Sequence, residues 1–186
     1  MPNEPRGIMI FGASGAGSTT LARELARLIN FTHHDTDDYF WEATNPPFTK
    51  QRSHDERTAL LEASVKSDFV LSGCIREWGS AIEPMLKLAV FNKTTTDVRL
   101  KRLQQREHER HGTRIMPGGD LHASNIEFME YVATYDTGGL DTRSLASQKA
   151  WAETLACPVV EINGADDYRE NAVGLVEIIK TLKILQ

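Results

Sequence analysis

A glycine-rich turn after a short apolar run constrains this chain more than any other feature. Residues 8–11 are Ile-Met-Ile-Phe, which is typical of a buried strand, and leucines at helical spacing follow over residues 18–29. Between them lies Gly-Ala-Ser-Gly-Ala-Gly-Ser-Thr, residues 12–19. Glycines let successive backbone N–H groups point at one anion, and the positive end of the helix adds to that field. The pattern predicts a phosphate-binding loop.

The spacing of this loop matches G-x-x-x-x-G-K-[ST], except that Ser18 stands where the lysine is expected. The hydroxyl of Thr19 is at the position that would bind Mg²⁺. The missing lysine leaves three options: another cation replaces it, turnover is slow, or the site only binds. A strand-to-helix turn without a ligand is the structural alternative. The predicted phosphate-binding residues are Gly12, Ser14, Gly15, Ala16, Gly17, Ser18, Thr19 and Thr20.

The rest of the chain alternates predicted strands and helices. Further strands are expected at 31–34, 69–72, 88–91 and 158–162, and helices at 53–67, 96–111, 124–135, 142–155 and 168–185. The first of these helices has a capping box, Ser53 with Glu56. Alternation of this kind predicts a parallel sheet of about five strands with helices on both faces.

Composition excludes several classes of protein. With 186 residues and 40% hydrophobic residues, the chain fits a single domain, 1–186. A net charge of −5 argues against a general nucleic-acid binder or a polybasic membrane binder. The two cysteines form no disulfide framework and the N-terminus lacks a signal-peptide core, so a cytoplasmic location is expected.

The loop and the layout resemble the P-loop small-molecule kinases, such as adenylate, cytidylate and shikimate kinases. Within that group, the chain is most similar to adenylate-kinase-like P-loop proteins of undefined substrate. The resemblance implies a P-loop NTPase three-layer α/β fold with ATP and Mg²⁺ as ligands. It also implies a small acceptor lobe at about 36–67 and an arginine-rich lid at about 106–140.

Acidic residues follow the second predicted strand. If the chain stays extended there, the side chains of Asp35 and Asp37 point the same way, into the crevice at the strand ends. Asp35-Thr36-Asp37 is similar to the D-S-D element of shikimate kinases, which implies Asp35 near the metal and Asp37 near the acceptor. An acidic turn that caps the next helix is the alternative, and Asp38 suits that role best.

Other candidate acceptor contacts lie in the lobe and after the third strand. Trp41 is compatible with stacking on the acceptor or with lobe packing. The resemblance implies that Arg57 grips an acceptor anion, although a surface position is an equal alternative. It also places Gly73 and Arg76 at the border of the acceptor pocket, where a plain strand-to-helix turn is the alternative.

Basic residues concentrate in the predicted lid. Residues 93–114 carry seven basic and three acidic side chains, and Arg99, Arg102, Arg106 and Arg110 share one face of a helix. The resemblance implies that such arginines stabilise the transferring phosphoryl group. Arg102 and Arg106, followed by Arg110, are candidates to replace the missing lysine charge. Arg99 suits a structural role best, and an exposed basic face is the alternative for the set.

After the last strand, the resemblance implies that Asn163 and Gly164 offer backbone groups to the nucleotide base, and an Asn-Gly turn is the alternative. The preferred function is ATP- and Mg²⁺-dependent phosphoryl transfer to a small molecule, most simply a nucleotide or nucleoside. Two alternatives stay open. One is a kinase for a small hydroxylated metabolite, and the other is a nucleotide-binding regulatory module with little turnover.

Overall fold

The computed structural model describes residues 4–185 and has a five-stranded parallel sheet at its centre. The strand order is β2-β3-β1-β4-β5, so the first strand lies in the middle of the sheet. The strands are β1 (Gly7–Phe11), β2 (Thr32–Asp35), β3 (Phe69–Ser72), β4 (Leu86–Lys93) and β5 (Val159–Asn163). The predicted α/β class with a five-stranded parallel sheet is confirmed.

Helices follow the strands as the alternating pattern predicts. They are α1 (Ser18–Ile29), α2 (Thr36–Phe40), α3 (His54–Ser64), α4 (Thr96–His111), α5 (His122–Ala133), α6 (Leu145–Ala152) and α7 (Tyr168–Thr181). Short 3-10 helices cover Glu83–Met85, Gly112–Ile115 and Thr134–Asp136.

Two hydrophobic cores lie on opposite faces of the sheet. On one face, β1 side chains such as Ile8 and Ile10 pack against buried residues of α1 and α7. On the other, Met9 and Phe11 pack with residues of α3 and α6, among them Trp151. The alternation of β1 side chains between the faces explains why this strand reads as one continuous apolar run.

The strand register brings the polar residues of the strand ends together. Asp35 at the end of β2 is paired with Ser72 at the end of β3, and Phe11 of β1 is paired with Phe91 of β4. The loops after β1, β2 and β3 therefore share the carboxyl edge of the sheet. This is where ligands bind in open α/β sheets.

Several helix ends differ from the sequence expectation. The helix predicted over 53–67 has its capping box but ends at Ser64, because buried Val65 is extended. The helix predicted from 142 begins at Leu145, because a box formed by Ser144 and Ser147 starts it there. The last helix ends at Thr181, before Lys183 with its φ of +55°.

Within the part of the chain that the structure describes, no helix is both long enough and apolar enough to cross a lipid bilayer.

Candidate active site

The loop between β1 and α1 has the backbone shape of an anion cradle. Gly15 and Gly17 have φ values of +81° and +90°, the left-handed region that glycine adopts without strain. A Cβ atom at Gly12 would lie 2.5 Å from the carbonyl oxygen of Asn92. Glycine is thus required at three positions, and the resulting loop fits a phosphate group at the start of α1.

Side chains from other elements hold the carbonyl oxygens of this loop. The Gly12 carbonyl accepts hydrogen bonds from Arg143 Nη2 at 2.9 Å and from Gln148 Nε2 at 3.2 Å. The Ala16 carbonyl accepts one from Asn92 Nδ2 at 3.0 Å. These bonds fix the loop conformation before a ligand binds, which reduces the entropic cost of binding.

Arg99 lies beneath the loop and is fully buried, with 0% of its surface exposed. Its Nε donates to the Thr94 carbonyl at 3.2 Å, and its Nη1 donates to the carbonyls of Ser14 and Val132 at 3.4 and 3.3 Å. Its Nη2 donates to Thr96 Oγ1 at 2.8 Å. Arg99 therefore ties the phosphate loop to the start of α4 and the end of α5, the structural role expected for it.

The hydroxyl residues at the start of α1 differ in their surroundings. Ser18 Oγ is buried and has no hydrogen-bond partner among residues 4–185. Thr19 is half-buried and Thr20 is exposed. A buried hydroxyl without a partner, next to a loop of the right shape, is what a phosphate oxygen would satisfy.

The chain turns sharply after β2, because α2 begins at Thr36. Asp35 is the N-cap of α2, and its Oδ1 accepts a hydrogen bond from the backbone N–H of Asp37 at 3.1 Å. The expectation of one extended segment through Asp37 is therefore wrong, and Asp35 rather than Asp38 is the capping residue. The bond occupies one carboxylate oxygen of Asp35, so the second can still bind a metal.

The Asp37 side chain is exposed to solvent, although the protein atoms around it partly desolvate its carboxyl group. Desolvation raises the pKa of its carboxyl group, and the nearby Asp35 carboxylate raises it further. Arg143 and Arg106 act in the opposite direction and lower that pKa. The carboxyl group of Asp37 is therefore within electrostatic range of one predicted site residue, Arg106, and of Arg143, which the sequence analysis did not select.

Arg57, in the segment 36–67 predicted to be the acceptor lobe, is buried with 6% of its surface exposed, so a surface position is excluded. Its Nε and Nη2 donate to the Arg52 carbonyl at 3.0 and 2.8 Å, and its Cζ is 3.8 Å from the centre of the Phe40 ring. No carboxylate in the described chain lies within ion-pair distance of it. Burial lowers the pKa of Arg57, so an anion brought by a ligand would relieve that cost.

Trp41 follows α2 and is half-buried. Its ring centre is 4.9 Å from that of Phe40 and 6.0 Å from that of Phe48, and its backbone forms a bridge with Gln51. This aromatic cluster packs the lobe. Whether Trp41 also stacks on an acceptor stays a prediction.

Gly73 directly follows β3 and packs against Thr36, the first residue of α2. Its φ is +112°, and a Cβ atom there would lie 1.7 Å from Thr36 Oγ1. The same hydroxyl accepts a hydrogen bond from the Cys74 N–H at 3.2 Å. Gly73 therefore sets the position of Thr36, the residue before Asp37.

Arg76 lies on the same segment but points toward the chain before α6. Its Nη2 forms an ion pair with Glu77 at 2.5 Å, and its guanidinium lies 3.5 Å from the carbonyls of Leu140 and Thr142. The cation predicted to clamp an anion is thus engaged with protein groups, one of them the carbonyl of Thr142, the residue directly before Arg143.

Gly73→Ala is expected to destabilise the fold by about 3 kcal/mol, because the new methyl group meets both left-handed strain and Thr36. Chemical denaturation measures this loss. Gly174→Ala is the matched control: nothing lies within 4 Å of a Cβ at that position in α7, so the change should stabilise the protein by about 0.5–1 kcal/mol. Equal effects of the two substitutions would contradict the packing described for Gly73.

The predicted lid arginines have different partners. Arg102 Nη1 donates to the carbonyls of Ala16 and Gly164 at 3.2 and 2.8 Å, so it bridges the phosphate loop and the loop after β5. This position is beside the phosphate loop on the side of α7, away from Asp37.

The carboxylate of Glu107 contacts three further side chains of α4. Its Oε1 is 2.8 Å from Arg106 Nη2 and 3.5 Å from Arg110 Nη1, and its Oε2 is 3.6 Å from His111 Nε2. The Arg110 guanidinium also lies 5.5 Å from the ring centre of Phe48 in the acceptor lobe. Arg106 and Arg110 therefore share one carboxylate.

A cleft of about 540 Å³ lies beside the phosphate loop, between α1, α4 and the start of α7. Gly164 lines it and approaches Asn92 so closely that a Cβ would lie 2.2 Å from Asn92 Oδ1. The Asn163 side chain accepts from the Ala165 N–H at 3.1 Å and donates to Asp166 at 2.8 Å, as an Asn-Gly turn does. The turn and the proposed base contact are thus compatible.

Sequence reasoning missed three residues that shape this site. Arg143 and Gln148 hold the Gly12 carbonyl, and Tyr135 donates to Gln148 Oε1 at 2.5 Å. Burial raises the pKa of Tyr135, which keeps its hydroxyl protonated as a donor. An arginine directly before a capping box was the only signal in the sequence. That signal indicates the start of α6, but it does not indicate that α6 lies against the phosphate loop.

The chain has a relative that covers most of its length. The uncharacterized protein YqaC of Bacillus subtilis (strain 168) is 37% identical over 159 residues, 84% of this chain and 88% of YqaC. This chain belongs to the YqaC family. A shorter stretch of 66 residues is 35% identical to the cytidylate kinase of Caldanaerobacter subterraneus subsp. tengcongensis, over 36% of this chain and 30% of that kinase. No protein-family model matches the chain.

Solved structures place the fold of this YqaC-family member among P-loop kinases. The shikimate kinase from Acinetobacter baumannii in complex with shikimate superposes with a TM-score of 0.57 and 19% identity, over 98% of this chain and 96% of that one. The shikimate kinase from Bacteroides thetaiotaomicron superposes with a TM-score of 0.52 and 20% identity, over 95% of this chain and 98% of that one. At such identities the likeness concerns the fold, and the predicted P-loop kinase-like fold is confirmed.

Proposed function

We propose that the protein transfers the γ-phosphoryl group of ATP to a hydroxyl group of a small acceptor, with nucleotides or nucleosides as the preferred class. One observation carries this proposal: a carboxylate with a raised pKa, Asp37, lies within electrostatic range of Arg106 and of Arg143, which donates to the first carbonyl of the phosphate loop. Perturbed carboxylates in clefts are typical of catalytic sites. Here the carboxylate and the loop flank the path a phosphoryl group would take.

In the proposed step, the acceptor hydroxyl oxygen forms a bond to the γ-phosphorus. The bond from that phosphorus to the bridging oxygen breaks, and ADP leaves with its electron pair. The hydroxyl proton passes to the carboxylate of Asp37, which must be ionised to accept it. A raised pKa suits this role, because a more basic carboxylate takes the proton more readily.

Residues that fit Mg²⁺ are Thr19 in α1 and the second carboxylate oxygen of Asp35. No group of three or more His, Cys, Asp or Glu side chains suited to a metal occurs among residues 4–185. That is compatible with Mg²⁺, which usually keeps several water molecules and binds through one or two protein groups plus phosphates. When bound, the ion neutralises phosphate charge, and the protein groups hold it in place.

The acceptor is expected to carry an anionic group that reaches Arg57. This guanidinium is stacked on Phe40, buried, and has no carboxylate partner in the described chain. A phosphate group of a nucleotide satisfies that requirement, and so does the carboxylate of a hydroxy acid.

A kinase of a small hydroxylated metabolite is therefore the second candidate. It is favoured by the Asp35-Thr36-Asp37 sequence and by the shikimate kinases among the solved structures of this fold. A regulatory module that binds a nucleotide with little turnover is the third candidate, and Ser18 in place of the loop lysine favours it.

ADP release coupled to an optical readout separates the three candidates when it is measured with ATP, Mg²⁺ and a panel of acceptors. The proposal predicts acceptor-dependent ADP formation with nucleoside monophosphates or nucleosides. Turnover with hydroxy acids or sugars alone would support the second candidate. Tight ATP binding without turnover for any acceptor would exclude both kinase functions.

Arg57→Met is expected to raise the KM for the acceptor at least about tenfold, the equivalent of one lost charge-assisted contact, and to leave the KM for ATP unchanged. Arg57→Lys keeps the charge but not the paired N–H groups, so its KM for the acceptor should lie between those of the wild-type protein and Arg57→Met. Steady-state kinetics at varied acceptor and ATP concentrations measure both constants. An equal rise in both KM values would show that Arg57 only supports the lobe.

A further inference from the structure

Phosphoryl transfer at this site needs a positive charge that the phosphate loop does not carry. A loop lysine normally places a point charge on the β- and γ-phosphates, and Ser18 cannot. The short side chain leaves a buried hydroxyl without a partner in the described chain. Because the loop shape is otherwise intact, the charge must come from a neighbouring element if turnover occurs.

The lid arginines are already engaged. Arg102 donates through Nη1 to two backbone carbonyls and lies on the α7 side of the loop. Arg106 and Arg110 share the carboxylate of Glu107, at 2.8 and 3.5 Å. Moving either arginine onto a phosphate would first have to break this ion-pair cluster.

Arg143, like Arg102, contacts the phosphate loop and has no carboxylate among residues 4–185 within ion-pair distance, but unlike Arg102, Arg106 and Arg110 it has a buried N–H without a partner there. It contacts the phosphate loop directly, through the bond from Nη2 to the Gly12 carbonyl at 2.9 Å. Its Nε is buried and has no hydrogen-bond partner among residues 4–185. No carboxylate of those residues lies within ion-pair distance of its guanidinium. A buried, unpartnered N–H on a cation is costly, and an anion in contact with it would remove that cost.

The position of Arg143 is fixed by the residue that follows it. Ser144 is fully buried, forms the capping box of α6 with Ser147, and donates from Oγ to the Gly139 carbonyl at 2.7 Å. The bond from Arg143 Nη2 to the Gly12 carbonyl then holds the guanidinium at the start of the phosphate loop.

We propose that Arg143 supplies the cation that the loop lysine supplies in other P-loop kinases, by donating from its guanidinium to the terminal phosphates of the bound nucleotide. This inference rests on the proposed phosphoryl transfer. It assigns a catalytic role to a residue that reaches the loop from the start of α6, and it explains how the loop can tolerate Ser18.

Nucleotide affinity tests this inference without turnover. The wild-type protein, Arg143→Ala and Arg143→Lys are titrated with ADP and with AMP by calorimetry, and the ratio of the two Kd values is compared. AMP lacks the β-phosphate, so its affinity reports whether the site is folded. We expect Arg143→Ala to lower the preference for ADP over AMP at least tenfold and Arg143→Lys to keep most of it. Arg27→Ala, a surface arginine paired with Glu24, is the matched control and should keep the wild-type ratio.

A second variant uses the vacant lysine position. Ser18→Lys in the Arg143→Ala background should restore the preference for ADP and part of any lost kcat, because it returns a cation to the same phosphates. An unchanged ADP-to-AMP ratio in Arg143→Ala, with a rise only in the KM for the acceptor, would overturn the inference and make Arg143 an acceptor contact. A protein whose ADP preference depends on Arg143 but which phosphorylates no acceptor would support the inference and contradict the proposed function.

Discussion

Asp37→Asn is expected to lower the rate of phosphoryl transfer about 10²–10⁴-fold, the usual contribution of a positioned general base. Asparagine has the same shape but cannot accept the hydroxyl proton. The affinity for ATP should change little, since the proposed function assigns Asp37 to the acceptor and not to the nucleotide. Single-turnover kinetics with saturating ATP measure the chemical step directly.

The same substitution is expected to raise the melting temperature at neutral pH. Because desolvation raises the pKa of Asp37 in the folded protein, ionising this carboxyl group costs folding free energy. Its contribution to stability is therefore fully present below the ordinary aspartate pKa and is lost as the pH rises through the raised folded value. Asparagine removes this loss of folding free energy, so the increase in melting temperature over the wild-type protein should become smaller at acidic pH. Calorimetric scans across pH follow the difference.

The activity of the wild-type protein should decrease at acidic pH, as the same carboxyl group becomes protonated. Only the ionised carboxylate can take the proton, so kcat falls as the pH drops through the pKa of Asp37, above the ordinary value of 3.8. Asp38→Asn is the matched control, one residue further along α2, and it should change neither the rate nor the melting temperature to a comparable extent. Comparable losses of rate in both variants would contradict the assignment of Asp37.

Arg99→Met is expected to produce the largest loss of stability in the molecule, about 3–5 kcal/mol. Methionine roughly fills the space but leaves buried carbonyls of Ser14, Thr94 and Val132 without their donor. Because a domain of this size loses about 2–4 °C per kcal/mol, the melting temperature should fall by roughly 10 °C. Thermal unfolding followed by circular dichroism measures this.

The loss should extend to ligand binding, because Arg99 holds the Ser14 carbonyl from below. ADP affinity is therefore expected to fall even at temperatures at which Arg99→Met is folded. Arg27→Met, on the surface of α1, provides the comparison for removing an arginine as such. A melting temperature equal to that of this control would mean that the buried hydrogen bonds of Arg99 contribute little to stability.

The phosphate loop and the strand order were accessible from sequence for a physical reason. Glycine spacing and a buried apolar strand are local signals, and parallel strands separated by helices leave few topologies. Asp37 could be selected because it follows the end of β2 at the carboxyl edge of the sheet, and Arg106 because its spacing with Arg102 and Arg110 places all three on one face of α4. The position of Asp37, however, depends on α2, a five-residue helix too short to give a periodic pattern.

Other contacts could not be predicted because both partners are distant in the chain. Arg143 meets the Gly12 carbonyl across 131 residues, and the Gly73 turn is shaped by Thr36. Charge spacing selected the arginines of α4, but it did not show that Glu107 forms ion pairs with two of them. From the sequence, Asp38 is the expected helix cap because a later helix start is assumed, whereas α2 starts at Thr36 and Asp35 is its cap.

Transfer of ³²P from γ-labelled ATP to an acceptor, resolved by chromatography, tests the central claim most directly. Wild-type protein, Asp37→Asn and Asp38→Asn are compared with nucleoside monophosphates, nucleosides and hydroxy acids as acceptors in the presence of Mg²⁺. Phosphoryl transfer from ATP through the cleft of Asp37 predicts a labelled acceptor with the wild-type protein and Asp38→Asn, and nearly none with Asp37→Asn. Protein that binds ATP but labels no acceptor, or labels it equally well without the Asp37 carboxylate, would contradict this account.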